Sequence, residues 1–94
     1  MAPFSFLTNH ATTMLAIAHD PQIRMRDIAT VVGITERAAQ RIVGELVAAG
    51  YVDRTRIGRR NEYTVNPDAP IGVSIARDLQ VGELLRVLVP SVAA

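Results

Sequence analysis

Apolar positions return along this chain with two different spacings. Over Thr8–His19, Met25–Val32 and Glu36–Ala49 they recur every three or four residues, as on one face of an α-helix. Over Tyr51–Arg56 and Asn61–Val65, β-branched and aromatic residues replace that spacing with two strand-like stretches. Thr8 is placed to cap the first helix, which carries Ala11, Met14, Leu15 and Ala18 on one face and stops at Asp20-Pro21. Ile23 and Met25 alternate with arginines as a brief strand would. The second helix turns Ile28, Ala29 and Val32 inward and ends at Gly33, where a left-handed cap is needed. Thr35 caps the third, and Glu36 suits the positive end of its dipole. Ala39, Ile42, Val43 and Leu46 form its buried stripe, and Gly50 terminates it.

Ile57-Gly58-Arg59-Arg60 joins the two strands, and Asn66-Pro67-Asp68-Ala69-Pro70 is a breaker cluster expected to end the compact part. Residues 1–7 read as an irregular apolar arm. Helical spacing resumes from Ile71 to Val89, through Ile75, Leu79, Val81, Leu84, Leu85 and Leu88, with Pro90 closing it. Gly72 and Gly82 interrupt that last pattern. The expected division is therefore a module over residues 1–67 and a helical extension over residues 68–94.

Composition changes this picture in three ways. A chain of 94 residues makes one small domain that is marginal alone, and a hydrophobic fraction of 49% points to a shared interface. There is no cysteine, which excludes disulfides, thiolate zinc sites and cysteine catalysis. The opening MAPFSFLTNH lacks the basic region and long apolar stretch of a signal peptide, and no run is long enough to span a membrane, so the expected location is cytoplasmic, on the nucleoid. Net charge is only +1, but its distribution is uneven. All ten basic residues are arginines, and eight lie between Arg24 and Arg60 against four acids, Asp27, Glu36, Glu45 and Asp53. General use of arginine would account for the missing lysine, not for the clustering.

Sorted by face, the clustered residues suggest a grip on duplex DNA. The side of the third helix opposite its buried stripe carries Arg37, Ala38, Gln40 and Arg41, near the end that meets base edges in helix-turn-helix docking. Arg37 or Arg41 can fork onto guanine and Gln40 onto adenine, while Ala38 permits close approach or touches a thymine methyl. Thr35 and nearby amides suit a phosphate. Arg54, Arg56, Arg59, Arg60 and Asn61 crowd the hairpin, where their mutual repulsion calls for an anionic partner such as the DNA backbone or a narrow minor groove. The competing readings are a solvated helix face pairing with Glu36 and Glu45, and edge-strand arginines that only block aggregation.

The stretch RDIATVVGITERAAQRIVGELVAAGYVDR followed by RIGRRNEYTV resembles the winged helix-turn-helix domain of bacterial transcriptional regulators, nearest the MarR-like and ArsR-like groups, over about Asn9–Asn66. The resemblance implies a mainly α fold, with three core helices, a two- to three-stranded antiparallel sheet and an extra C-terminal helix. It implies Thr35–Ala49 as the reading helix and Arg54–Asn61 as the wing. The cysteines of metal-sensing ArsR-like proteins are missing. One short C-terminal segment stands where MarR-like proteins have long dimer helices, and no effector pocket stands out.

No catalytic constellation accompanies these features. His10 and His19 lack a third ligand or the HExxH spacing, so neither a metal nor a cofactor is expected, nor enzymatic activity. Residues 71–89 serve either as a homodimerisation helix or as a fourth core helix across the first. The favoured reading is a sequence-specific, homodimeric regulator binding double-stranded DNA. The alternatives are a winged-helix protein–protein module and a non-specific architectural DNA binder.

Overall fold

The computed structural model describes residues 6–76 and 78–89. Thr8 starts α1 (Asn9–His19), its hydroxyl oxygen accepting from the Ala11 amide at 3.2 Å. The α2 helix (Met25–Val32) ends at Gly33, whose φ of +83° lets its amide and that of Ile34 both return to the Ala29 carbonyl. Two residues on, Thr35 caps α3 (Glu36–Ala48), its hydroxyl oxygen accepting from the Ala38 amide at 3.0 Å. Local chemistry thus sets both ends of the turn between α2 and α3.

Gly50 reverses the chain into β1 (Val52–Ile57), which pairs antiparallel with β2 (Arg60–Val65) in the register Val52↔Val65 to Ile57↔Arg60. The sheet has two strands among the described residues, and its turn is shorter than the spacing suggested. Ile57 and Arg60 belong to the strands, leaving only Gly58 and Arg59 at the tip. The expected brief strand at Ile23–Met25 does not form. Met25 opens α2 instead, and the preceding loop is tied to β2 by the Tyr63 amide donating to the Pro21 carbonyl at 2.8 Å.

One hydrophobic cluster joins these elements. The α3 stripe Ala39, Ile42, Val43 and Leu46 is buried as its spacing requires, against Met14 and Ile17 of α1, Ile28 and Ala29 of α2, Val52 and Tyr63. For α1 the expected face is turned. Thr13, Met14, Ala16 and Ile17 are buried, while Ala11, Leu15 and Ala18 are only half-buried. The cause is that α1 has neighbours on more than one side, touching α2, α3, β2 and the last helix, so a single-face pattern could not locate its buried arc. Thr13 is fully buried with its hydroxyl satisfied, donating to the Asn9 carbonyl at 2.7 Å.

The chain beyond the breaker cluster departs most from expectation. It does not leave the compact part: Ala69, Val81, Leu85 and Val89 enter the same core. A continuous helix over residues 71–89 is not formed either. A single 3-10 turn (Ser74–Ala76) is followed by α4 (Val81–Leu88). Gly72 sits at a φ of +81°, and Pro70 bridges Gln80, so the segment loops back on itself before α4 begins. Gly82 then lets α4 press on the loop. A Cβ there would lie 3.0 Å from the Pro67 Cβ and 3.1 Å from its carbonyl oxygen, to which the Gly82 amide donates at 2.8 Å. Of the expected extension residues, Val81 and Leu85 are buried and Leu84 half-buried, whereas Ile75, Leu79 and Leu88 stay exposed. Residues 1–5 of the expected arm, and Pro90, lie outside the described residues.

Ile17 is wholly buried where α1 meets the rest of the fold. Ile17→Ala is expected to lower the unfolding free energy by about 2–5 kcal/mol, read from chemical denaturation with an unchanged m-value.

Candidate nucleic-acid interface

The α3 helix is held by its inner face and presents the other to solvent. Arg37, Gln40 and Arg41 are exposed and Ala38 is half-buried beside them. These expected base-facing residues do not all point into one place. Arg37, Arg41 and Glu45 follow one another at four-residue steps, and Arg41 Nη1 donates to both Glu45 carboxylate oxygens at 3.2 Å. His10 of α1 reaches the same carboxylate, Nε2 to Oε1 at 2.7 Å. This chain of contacts ties the exposed side of α3 to α1. An arginine–glutamate pair was among the expected readings of this face; the histidine, thirty-five positions away, was not.

Gln40 lies on the other side, toward the hairpin. It lines a cleft of about 520 Å³ together with Arg59, Arg60 and Asn61 of the hairpin and Gln22 and Arg24 of the loop before α2. Among the described residues no acidic side chain lines this cleft. Three of its residues bear on its rigidity. Arg60 donates from Nη2 to the Gln22 carbonyl at 2.8 Å, Gln22 Nε2 donates to Glu62 at 3.3 Å, and the Tyr63 amide holds Pro21. Loop and hairpin are therefore bolted together, with Arg24 on one bank and Arg59 on the other.

The remaining hairpin residues occupy distinct positions. Arg54 and Arg56 are exposed on the strand face that also carries Val52, opposite Tyr63 and Asn61 in the register. Arg56 Nε donates to the Gly58 carbonyl at 3.0 Å, stiffening the tip. Arg60 spends one donor on Gln22, but a guanidinium has five, and the rest remain for another partner. Thr35 is engaged as the α3 cap. Among the described residues, Arg24, Arg37, Arg54 and Arg59 have no acidic group within 4.0 Å. Arg24 was not picked out from sequence, although it opens the arginine cluster. Twelve residues separate it from Arg37, so only the loop's return against the hairpin brings it into the lining shared with Gln40.

A second concavity lies on the opposite side of α3. A hollow of about 670 Å³ is lined by Met14, Leu46, Tyr51, Ile71, Val81 and Leu84, with His10 and Glu45 among its polar members. The Tyr51 hydroxyl donates to the Pro70 carbonyl at 2.7 Å and secures one wall. The hollow is built from segments too far apart in sequence to signal it. Among the described residues no group of three or more His, Cys, Asp or Glu side chains is arranged to hold a metal ion. No helix among them is long and apolar enough to cross a membrane.

The profile of the MarR family matches residues 5–59, which is 55 of the 94 residues. The chain belongs to the MarR family. The winged-helix reading of its helices and hairpin follows from that membership and from the fold. Among solved structures it is similar to the zinc-dependent MarR family transcriptional regulator AdcR in its Zn(II)-bound state, with a TM-score of 0.54 and 14% identity. That similarity covers 99% of this chain and 59% of the other, so the chain spans well under two thirds of that regulator's length. At this identity the likeness speaks for the fold alone. No curated protein gives a match.

The His10 hydrogen bond, with a hydrogen bond and charge from Arg41, holds the Glu45 carboxyl below its ordinary pKa against the opposing effect of desolvation. A carboxylate lowered on folding stabilises the native state above its unfolded pKa, and that contribution disappears as pH falls through the folded value. The stability advantage of the wild type over Glu45→Gln is therefore expected at neutral pH and is lost on acidification through the carboxylate range, as thermal melts across pH would show.

Proposed function

We propose that this MarR family member is a sequence-specific transcriptional regulator that binds double-stranded DNA, with α3 in the major groove and the β1–β2 hairpin as a wing on the backbone or minor groove. The observation that carries this reading is the cleft that sets Gln40 of α3 beside Arg59 of the hairpin, on a helix whose inner face is locked in the core. A reader held this rigidly binds without first paying to order itself. Arg37, Ala38, Gln40 and Arg41 take the base edges. Thr35, Arg54, Arg56, Arg59, Arg60 and Asn61 take the phosphates and the wing contacts.

Arg41 does not have to be idle to serve. Its pair with Glu45 is solvent-exposed, a class of ion pair that contributes little, so a guanine edge or phosphate competes with it readily. Two-fold symmetry of the site would come from a homodimer built on residues 71–89. That role is supported by the apolar side chains this segment leaves in solvent, Ile75 at 94% and Val87 at 74% exposure, a costly arrangement for an isolated chain. A regulator of this kind acts in the cytoplasm, on the nucleoid, and needs no catalytic group.

Selection of binding duplexes from a random pool by gel shift, with light scattering for mass, tests the reading directly. A selected consensus and a mass near twice 10.2 kDa are expected. Gln40→Ala and Arg41→Ala should each cost about 1–3 kcal/mol on the selected duplex and relax the preference at one position. Absence of any salt-sensitive shift would favour a protein-binding module, and equal competition by unrelated DNA an architectural one.

A further inference from the structure

The geometry points to a phosphate seat between the reading helix and the wing, closed by Arg24, a residue outside both. This assignment rests on the DNA-binding reading and adds a third protein element to it. Four observations converge on the cleft. Its two banks carry Arg24 and Arg59, neither of which has an acidic partner among the described residues. Its lining includes no carboxylate to neutralise them. Asn61, in the same lining, supplies an uncharged donor beside the two arginines. The Arg60–Gln22 bond at 2.8 Å and the Tyr63–Pro21 bond at 2.8 Å prevent the banks from swinging apart, although like charges face each other.

Like charges held together by hydrogen bonds to backbone carbonyls make a standing cationic site. An anion entering it is attracted from both sides without reorganisation of the loop or hairpin. The planar fork of arginine suits two phosphate oxygens, and the exposed side chains on each bank leave the cleft open to a chain that passes through it. A duplex engaged by α3 and the wing together has a backbone strand crossing between them. The phosphate of that strand is the occupant this chemistry selects. Arg24 then contacts DNA without reading sequence, and so positions the helix for the residues that do.

The test is fluorescence anisotropy of the full chain with a selected duplex and with an unrelated one, each titrated over a range of salt. Arg24 is exposed and its side chain makes no hydrogen bond or ion pair among the described residues, so Arg24→Ala should melt like the wild type. Loss of one phosphate contact lowers the association constant about eightfold at about 0.1 M salt and flattens the log–log salt slope by about 0.9. Both duplexes should weaken alike, and Arg24→Lys should restore the slope. The assignment falls if the wild type binds with a salt-dependent affinity that Arg59→Ala reduces, while Arg24→Ala leaves affinity and slope unchanged. It falls equally if Arg24→Ala weakens only the selected duplex, which would make Arg24 a base reader. A wild type that binds neither duplex at low salt removes the DNA-binding reading along with it.

Discussion

Everything on the working side of this molecule depends on how α3 is held from behind. Ala39, Ile42, Val43 and Leu46 place one small and three larger apolar side chains along a single stripe, and the core covers all four. Burying each of the larger ones is worth roughly 1.5–3 kcal/mol. That sum fixes the rotation of α3 about its own axis. Once the stripe faces inward, Arg37, Gln40 and Arg41 have no choice but to face out. A slip of one residue would expose apolar surface and bury Gln40 or Arg41, depending on its direction, a polar group the core has no partner to satisfy.

The hairpin is secured differently. A two-stranded ribbon is marginal in isolation, and this one has few core residues of its own, chiefly Val52 and Tyr63. Polar bonds to neighbouring loops compensate. The Asn66 amide donates to the Tyr51 carbonyl at 2.9 Å and its Nδ2 to the Gly50 carbonyl at 3.2 Å, clamping the open end, while Arg60 and Tyr63 bind the loop ahead of α2. The result is a basic hairpin with a defined position relative to α3. Arg56 and Arg60 each give one donor to this framework, while Arg54 and Arg59 keep theirs for other partners.

On the far side of α3, His10, Glu45 and Arg41 form a short line of contacts from α1 to the exposed face. The same His10 and Glu45 belong to the lining of the apolar hollow, whose other walls come from Tyr51 and the segment around Ile71 and Val81. Core helix, hollow and the exposed face of α3 are thus physically contiguous through one carboxylate. The C-terminal segment matters here as a wall. The Ala69 and Pro67 carbonyls accept from the Val81 and Gly82 amides at 2.8 Å each, so α4 is hung from the loop that follows the hairpin.

What the amino-acid sequence determined by itself was whatever local chemistry decides. Thr8 and Thr35 as caps, Gly33 in the left-handed region and the α3 stripe were all legible, because each involves residues within a helical turn or two of one another. So was the arginine-rich hairpin, though its turn proved two residues tighter. Tertiary structure alone decided the rest. The buried arc of α1 turned toward Ile17 because the helix has neighbours on several sides, and the apolar spacing of residues 71–89 yielded to a loop that doubles back before α4. Arg24 met Gln40 and Arg59, His10 met Glu45, and the hollow appeared only when segments distant in sequence were folded together. Spacing along a chain records which side of an element is apolar; which neighbour covers that side is settled by the competition among all the elements for one core.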